Sequence, residues 1–289
     1  MTSLENKPEF TRREKLVGHI VICLTDLAFV FTEFEGRENL QNDEVKRALE
    51  RGSIIIAYNH PSTVMTSLDR EVIRTTINSW EGIKRGVVIK RNLAQSLKAG
   101  LTIDNCRAFA ITTKKYQEDE EVREKENRKV LGEITAYLKQ KGSLLEYYPE
   151  GTRNHSMNRA ESGFAHLAQY AELVVLVASS FTNGFRPRIE VLQPITGKKG
   201  VRWCMNKFGR KAGKQAYSDL AMTFIAGALP EDLQGDYQSS VELAGRIDLN
   251  PNLNEHGFTD EREKAFALTY SAFKTGQFRY GSSVGGLQS

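Results

Sequence analysis

Six short apolar runs punctuate the chain, and between several of them apolar residues recur every three or four positions. Residues 53–58, SIIIAY, form a compact run rich in β-branched side chains, the pattern of a strand buried on both faces. Residues 86–89 (GVVI), 107–111 (RAFAI), 143–148 (SLLEYY), 173–178 (LVVLVA) and 188–192 (RIEVL) carry the same signature. Helical patterns lie between them. Residues 43–51, DEVKRALER, form a short charged helix closed by Gly52. Residues 117–138 begin as almost pure charge, while Val130, Leu131, Ile134 and Leu138 supply an apolar stripe, so an amphipathic helix with one solvated face is expected, ended by Gly142. Strands alternating with helices predict an α/β fold whose mostly parallel central sheet has helices on both faces. In such sheets the chemistry sits just beyond the strand ends.

The ends of the chain are less regular. Residues 1–15 are polar, and residues 16–31, LVGHIVICLTDLAFVF, are apolar with helical spacing at Leu16, Ile20, Leu24, Leu27 and Phe31. A membrane span needs about 20 apolar residues, and an aspartate at mid-span costs roughly 2.5–3.5 kcal/mol. This run is shorter and holds His19 and Asp26. It reads as a core-packing helix or as one lying in a membrane interface, rather than as a span. Beyond Pro230 the sequence is polar and less patterned, and the tail GSSVGGLQS suits a disordered end. The expected organisation is an N-terminal helical segment over 1–45, an α/β domain over 46–230, and a C-terminal extension over 231–289.

A length of 289 residues permits one large domain with a small appendage, and 40% hydrophobic with 26% charged residues excludes a wholly disordered chain. The net charge of +4 is compatible with an anionic substrate or surface without requiring one. Three separated cysteines, Cys23, Cys106 and Cys204, include no CxxC pair, which argues against a disulfide framework or a zinc cluster and for a reducing compartment. The start MTSLENKPEFTRREK lacks the apolar run of a secretory leader, so a cytoplasmic location is expected. His19, His155, His166 and His256 have no ligand-like spacing and read as structural. Residues 198–214 hold seven basic side chains and no acid, with Val201, Cys204, Met205 and Phe208 as an apolar stripe. That is either a solvated basic face backed by core, or an amphipathic helix lying on anionic lipid. Aromatic residues are too few for a nucleic-acid stacking platform, so no nucleic-acid partner is expected.

Two strand exits carry the candidate chemistry. The first reads Asn59-His60-Pro61-Ser62-Thr63. An imidazole there has the right proton affinity for a general base near neutral pH, and a proline beside it stiffens the backbone. The second reads Pro149-Glu150-Gly151-Thr152-Arg153-Asn154. Gly151 permits a tight turn, Thr152 adds a hydroxyl donor, and Arg153 offers a planar fork suited to phosphate. The same loop also admits a purely structural reading in which Glu150 pairs with Arg153.

Taken together, the two loops resemble the glycerophospholipid acyltransferase family, which includes the 1-acylglycerol-3-phosphate acyltransferases. That family shows a strand ending in Asn-His-x-Ser, an aspartate soon after, and later a strand ending in Phe-Pro-Glu-Gly-Thr-Arg. Here the order and separation match, with YPEGTR the most specific part. Lys90 in Val88-Ile89-Lys90, the segment Ser162 to Ala168, and the strand from Leu173 to Ser179 extend the likeness over roughly residues 50–195. Met65 stands where the family places its aspartate, and the nearest downstream carboxylate is Asp69. Ile111-Thr112-Thr113 stands where the family commonly has Ile-Asp-Arg, with Lys114 and Lys115 following, and the strand near Val174 lacks the family's prolines.

The resemblance implies a glycerolipid acyltransferase-like fold and an O-acyltransferase. A fatty acyl group would pass from acyl-CoA or acyl carrier protein to a lysophospholipid or glycerol-phosphate-type alcohol, without metal or cofactor, at a membrane surface. His60 would be the general base, oriented by Asp69, with Glu150, Gly151, Thr152, Arg153 and Lys90 binding substrate. Two alternatives stand beside it. One is a catalytically impaired, lipid-binding relative, because Met65 replaces the aspartate. The other is an unrelated α/β enzyme with a phosphate-binding Arg153 loop.

Overall fold

The computed structural model describes residues 31–60, 75–77, 82–90, 106–112, 119–151, 155–160, 163–182, 186–251, 253, 258 and 260–277. Each apolar run is a strand. In chain order the elements begin with β1 (Glu33–Glu35), α1 (Arg37–Gln41), α2 (Asp43–Arg51), β2 (Ser53–Tyr58), β3 (Lys84–Lys90), β4 (Arg107–Ile111), α3 (Glu120–Leu138) and β5 (Ser143–Tyr147). They continue with α4 (Gly163–Ala168), β6 (Leu173–Thr182), β7 (Arg186–Val191), β8 (Ile195–Thr196), α5 (Lys198–Phe208), α6 (Arg210–Gly227), α7 (Gln238–Leu249) and α8 (Glu261–Lys274).

Local signals set the helix boundaries. Asn42 caps α2 by accepting the Glu44 N–H at 2.8 Å, and Asp43 and Glu44 place negative charge in the first turn. Asp119 caps α3 in the same way through the Val122 N–H at 3.1 Å. The charged opening of the expected 117–138 helix therefore serves partly as its cap.

The sheet runs β1-β7-β6-β2-β5-β3-β4, with β8 added on β6. The pairs β6–β2, β2–β5, β5–β3 and β3–β4 are parallel, while β7 and β8 run antiparallel to β6. The mostly parallel sheet matches the expectation. Strand β2 is buried at all six positions because the sheet is covered on both sides. Its side chains alternate as a strand requires. Ile54, Ile56 and Tyr58 join Leu144, Tyr148, Val175 and Val177 beneath α1 and α2. Ile55 and Ala57 face the other way, into a larger core with α3, α4, α5 and α6.

The polar stretch after Pro230 folds as α7 and α8, and Leu243, Ile247, Phe266, Tyr270 and Phe273 enter that larger core. Spacing did not advertise this because much of each helix remains polar on its outer face. The basic stretch at 198–214 breaks into α5 and the start of α6 at Gly209. Val201 and Cys204 are fully buried, and Met205 and Phe208 pack against them. Its apolar stripe belongs to the core, while Lys198, Lys199, Arg202, Lys207, Arg210 and Lys211 remain exposed. Among the described residues no helix is long and apolar enough to cross a membrane. Of the apolar segment at 16–31 only Phe31 is described, and it is exposed; residues 16–30 lie outside the described residues.

Candidate active site

Strands β2 and β5 are parallel neighbours at the middle of the sheet, with Ala57 opposite Tyr147. Their C-terminal ends therefore deliver Asn59-His60 and Pro149-Glu150 side by side, although 90 residues separate His60 from Glu150. This is the position at which a parallel sheet presents its loops to a ligand.

The Glu150 loop is a tight turn. The Gly151 N–H donates to the Tyr148 carbonyl at 3.0 Å, with Pro149 and Glu150 at the two central positions. Proline fixes its φ for the first of these. Gly151 has φ +66°, a conformation that costs an L-residue roughly 1–2 kcal/mol, and a side chain there would meet open space. The glycine is therefore required by the backbone and not by crowding.

Glu150 is buried, and its carboxylate joins two loops. Oε1 accepts the His60 backbone N–H at 3.1 Å, and Oε2 accepts the Asn158 backbone N–H at 2.8 Å. An ionised acceptor makes such bonds roughly twice as strong as neutral ones. Asn59 is fixed independently. Its Nδ2 donates to the Ser179 carbonyl at 2.9 Å, and its Oδ1 accepts the Ser179 N–H at 2.8 Å. His60 itself is half-buried and leans on the Tyr148 ring at 4.4 Å between centroids, tilted by 34°, while Tyr148 stacks on Tyr58 at 5.1 Å. The imidazole is thus held from its backbone by Glu150 and across its face by an aromatic column. A small cleft opens here, lined by Asn59, His60, Glu150, His155, Ser156, Met157 and Leu233.

Of the residues singled out in the sequence, His60, Glu150 and Gly151 converge. Lys90 ends β3, three residues beyond the Val87–Glu146 pair and at the same end of the sheet, where it is half-buried. Asp69, Thr152 and Arg153, like Met65, Lys114 and Lys115, lie outside the described residues. Thr112, in the position of the family's aspartate, is an anchor. Its hydroxyl donates to Glu126 at 2.8 Å, its N–H donates to Asn127 at 2.8 Å, and its carbonyl accepts from the Asn127 amide at 2.9 Å, tying β4 to α3.

Two supporting features were not foreseen. Beneath the site, Glu146 of β5 is fully buried and pairs with Arg85 of β3 at 2.7 Å. Beside it, residues 157–160 are clamped by the C-terminal helices. Met157 exchanges backbone hydrogen bonds with Leu233 and Asp236, and Arg159 N–H donates to the Asp236 carboxylate at 2.8 Å. A Cβ on Gly235 would collide with the Met157 carbonyl oxygen, so only glycine allows this approach. Ala160 N–H donates to the Tyr237 hydroxyl at 2.8 Å. Asp219 on α6 anchors the clamp. It is buried, accepts from Arg262 Nε at 3.1 Å and Gln215 at 2.9 Å, and pairs with Arg159 at 3.6 Å. Asp219 is visible in the sequence as a lone acid within an apolar run, but its partner lies 43 residues away.

A comparison with protein-family models matches the acyltransferase family over residues 32–180, just over half of the chain, and the match spans both strand-exit loops. No curated protein matches in the corresponding search. A mostly parallel sheet that brings an Asn-His-Pro loop against a Pro-Glu-Gly loop, within the span of that match, makes this chain a member of the glycerophospholipid acyltransferase family.

Proposed function

We propose that this acyltransferase moves a fatty acyl group from a thioester donor, acyl-CoA or acyl carrier protein, onto the free hydroxyl of a lysophospholipid or glycerol phosphate. The observation that carries this reading is the hydrogen bond from the His60 backbone to Glu150, which fixes an imidazole at the exit of β2 beside a small cavity. His60 takes the proton from the acceptor alcohol as its oxygen attacks the thioester carbonyl. Asp69 orients the ring and stabilises the imidazolium. The tetrahedral intermediate then collapses, and the thiolate leaves with the proton returned by His60. The net exchange is one thioester bond broken and one ester bond formed, with no metal or cofactor taking part.

The remaining roles follow from charge and position. Backbone N–H groups near Gly151 serve the developing oxyanion, where a well-placed donor lowers the barrier by about 2.7–4 kcal/mol, and Thr152 contributes to substrate binding. Arg153 and Lys90 bind the acceptor's phosphate. Glu150 acts by holding the two loops together, since each of its oxygens already accepts a backbone N–H. The exposed cations of α5 and α6 draw the protein to anionic bilayers as a peripheral protein, where lipid acceptors reside.

The test is transfer of a radiolabelled acyl chain by the purified protein. Oleoyl-CoA and oleoyl-acyl carrier protein serve as donors, with lysophosphatidate, other lysophospholipids and glycerol 3-phosphate as acceptors. Labelled ester with equimolar thiol release is expected for at least one pair. Acceptor binding without thiol release from any donor would instead favour the lipid-binding alternative that Met65 suggests.

A further inference from the structure

A second site is indicated on the helical face of the molecule. Helices α3 and α4 frame a groove of about 360 Å³, lined by Arg128, Leu131, Gly132, Thr135, Ala136, Lys139 and His166. It shares no lining residue with the His60–Glu150 cleft. Its volume falls within the usual range for small-molecule sites, and its floor of small and apolar side chains leaves room for a flat group.

The rim is cationic. Arg128 comes from α3, Lys139 is its C-cap and His166 comes from α4, and behind the imidazole stands Lys214 of α6, with Nζ 3.0 Å from His166 Nδ1. Gln169 Nε2 approaches the same nitrogen at 2.9 Å. An ammonium and an amide N–H₂ can only donate, so Nδ1 is the acceptor and the neutral ring carries its proton on Nε2. Burial and the charges of Lys214 and Arg210 push the His166 pKa down, and burial and Arg210 do the same to Lys214. Among the described residues no carboxylate pairs with Lys139, Lys214 or Arg210. Lys139 instead lies over the Tyr170 ring at 5.5 Å, and Arg128 pairs with Glu124, one turn back on its own helix. Lys139, Lys214 and Arg210 repel one another, and an anion placed among them relieves that repulsion.

We propose that this groove binds a phosphate ester of nucleotide size, its phosphate held by Lys139 and the His166 Nε2–H with Lys214 and Arg210 reinforcing the field, and its far end facing Arg128 about three helical turns away. The histidine that spacing marked as structural becomes a ligand contact. The site stands whether or not the acyl-donor assignment holds, because its residues are separate from the cleft.

The experiment is NMR titration of the histidine ring signals of the full chain at low ionic strength, in separate arms with inorganic phosphate and with adenosine 3′,5′-bisphosphate. A saturable shift of His166 and a rise in its pKa are expected, because a bound anion favours the protonated ring. Tighter binding of the bisphosphate by about tenfold or more identifies a nucleotide ester, while equal binding identifies free phosphate as the occupant. Arg128→Gln with Lys139→Gln should weaken either ligand by about tenfold while leaving the thermal midpoint unchanged, since both side chains are at the surface. His60→Ala should leave this binding intact. The proposal is overturned if the His166 shift does not saturate, if chloride at equal ionic strength reproduces it, or if the double variant binds as tightly as the parent.

Discussion

Glu150 accepts the backbone N–H of His60 at 3.1 Å across the exits of two adjacent parallel strands. The same carboxylate holds Asn158 with its other oxygen, so one buried charge sets the spacing of three loop positions. The imidazole is aimed from behind, through the main chain. The conspicuous acid of the Pro-Glu-Gly turn is therefore a positioning residue.

Glu150→Gln keeps the shape but removes the symmetry of acceptors. One amide oxygen can serve one N–H, and the amide N–H₂ then confronts the other. Loss of one charge-assisted bond is expected to cost about 1.5–3 kcal/mol in urea unfolding and to lower kcat more than it raises the donor's KM. Unchanged stability and kcat would show that these bonds do not hold the loops.

The strands were legible because parallel strands covered on both sides leave continuous apolar runs, as at Ile54, Ile55 and Ile56. Their adjacency was not. Nothing near residue 58 says that β5, and not β3, lies beside β2. Only the family likeness linked the two loops, since Glu150 reaches His60 and Asn158 through backbone N–H groups that every residue possesses. The stripe at Val201 and Cys204 suited lipid or core equally well, and only the packing of α5 decides for core. Helices α7 and α8 were not legible because much of each is polar on its outer face, and because the acid that anchors Arg262, Asp219, lies 43 residues away on α6.

Arg85→Met tests the ion pair under the site. Glu146 is wholly inaccessible, and removing one partner of a buried ion pair typically costs about 3–5 kcal/mol. Urea denaturation should register a loss of that size. A loss below about 1 kcal/mol would mean that Glu146 takes its compensation elsewhere.

Arg262→Gln tests the C-terminal clamp. The substitution removes the guanidinium bonds to Asp219, and because Arg262 is 40% exposed the loss is expected near the low end of about 1–3 kcal/mol. Residues 157–160 should exchange their amide hydrogens faster, and acyl transfer should fall with them. Unaltered exchange at Ala160 would disconnect the C-terminal helices from the site.

Charge reversal of the basic face tests membrane attachment. Changing Lys198, Lys199, Arg202, Arg210 and Lys211 to glutamate should abolish co-sedimentation with phosphatidylserine vesicles, each cation contributing about 1 kcal/mol near an anionic surface. The parent should release between about 0.1 M and about 1 M salt, as the screening length falls from about 10 Å to about 3 Å. Retention of the variant on vesicles would move the membrane contact away from α5 and α6.

The most direct measurement of the central claim is single-turnover acyl transfer by purified His60→Ala, alongside its thermal unfolding. His60 is held in the fold through its backbone N–H, which the substitution keeps, so the variant should remain folded with a midpoint close to the parent's. Loss of a general base should slow ester formation by about 10²–10⁴-fold, with acceptor binding retained. A folded His60→Ala protein that forms ester at the parental rate would contradict the assignment of His60 as the base.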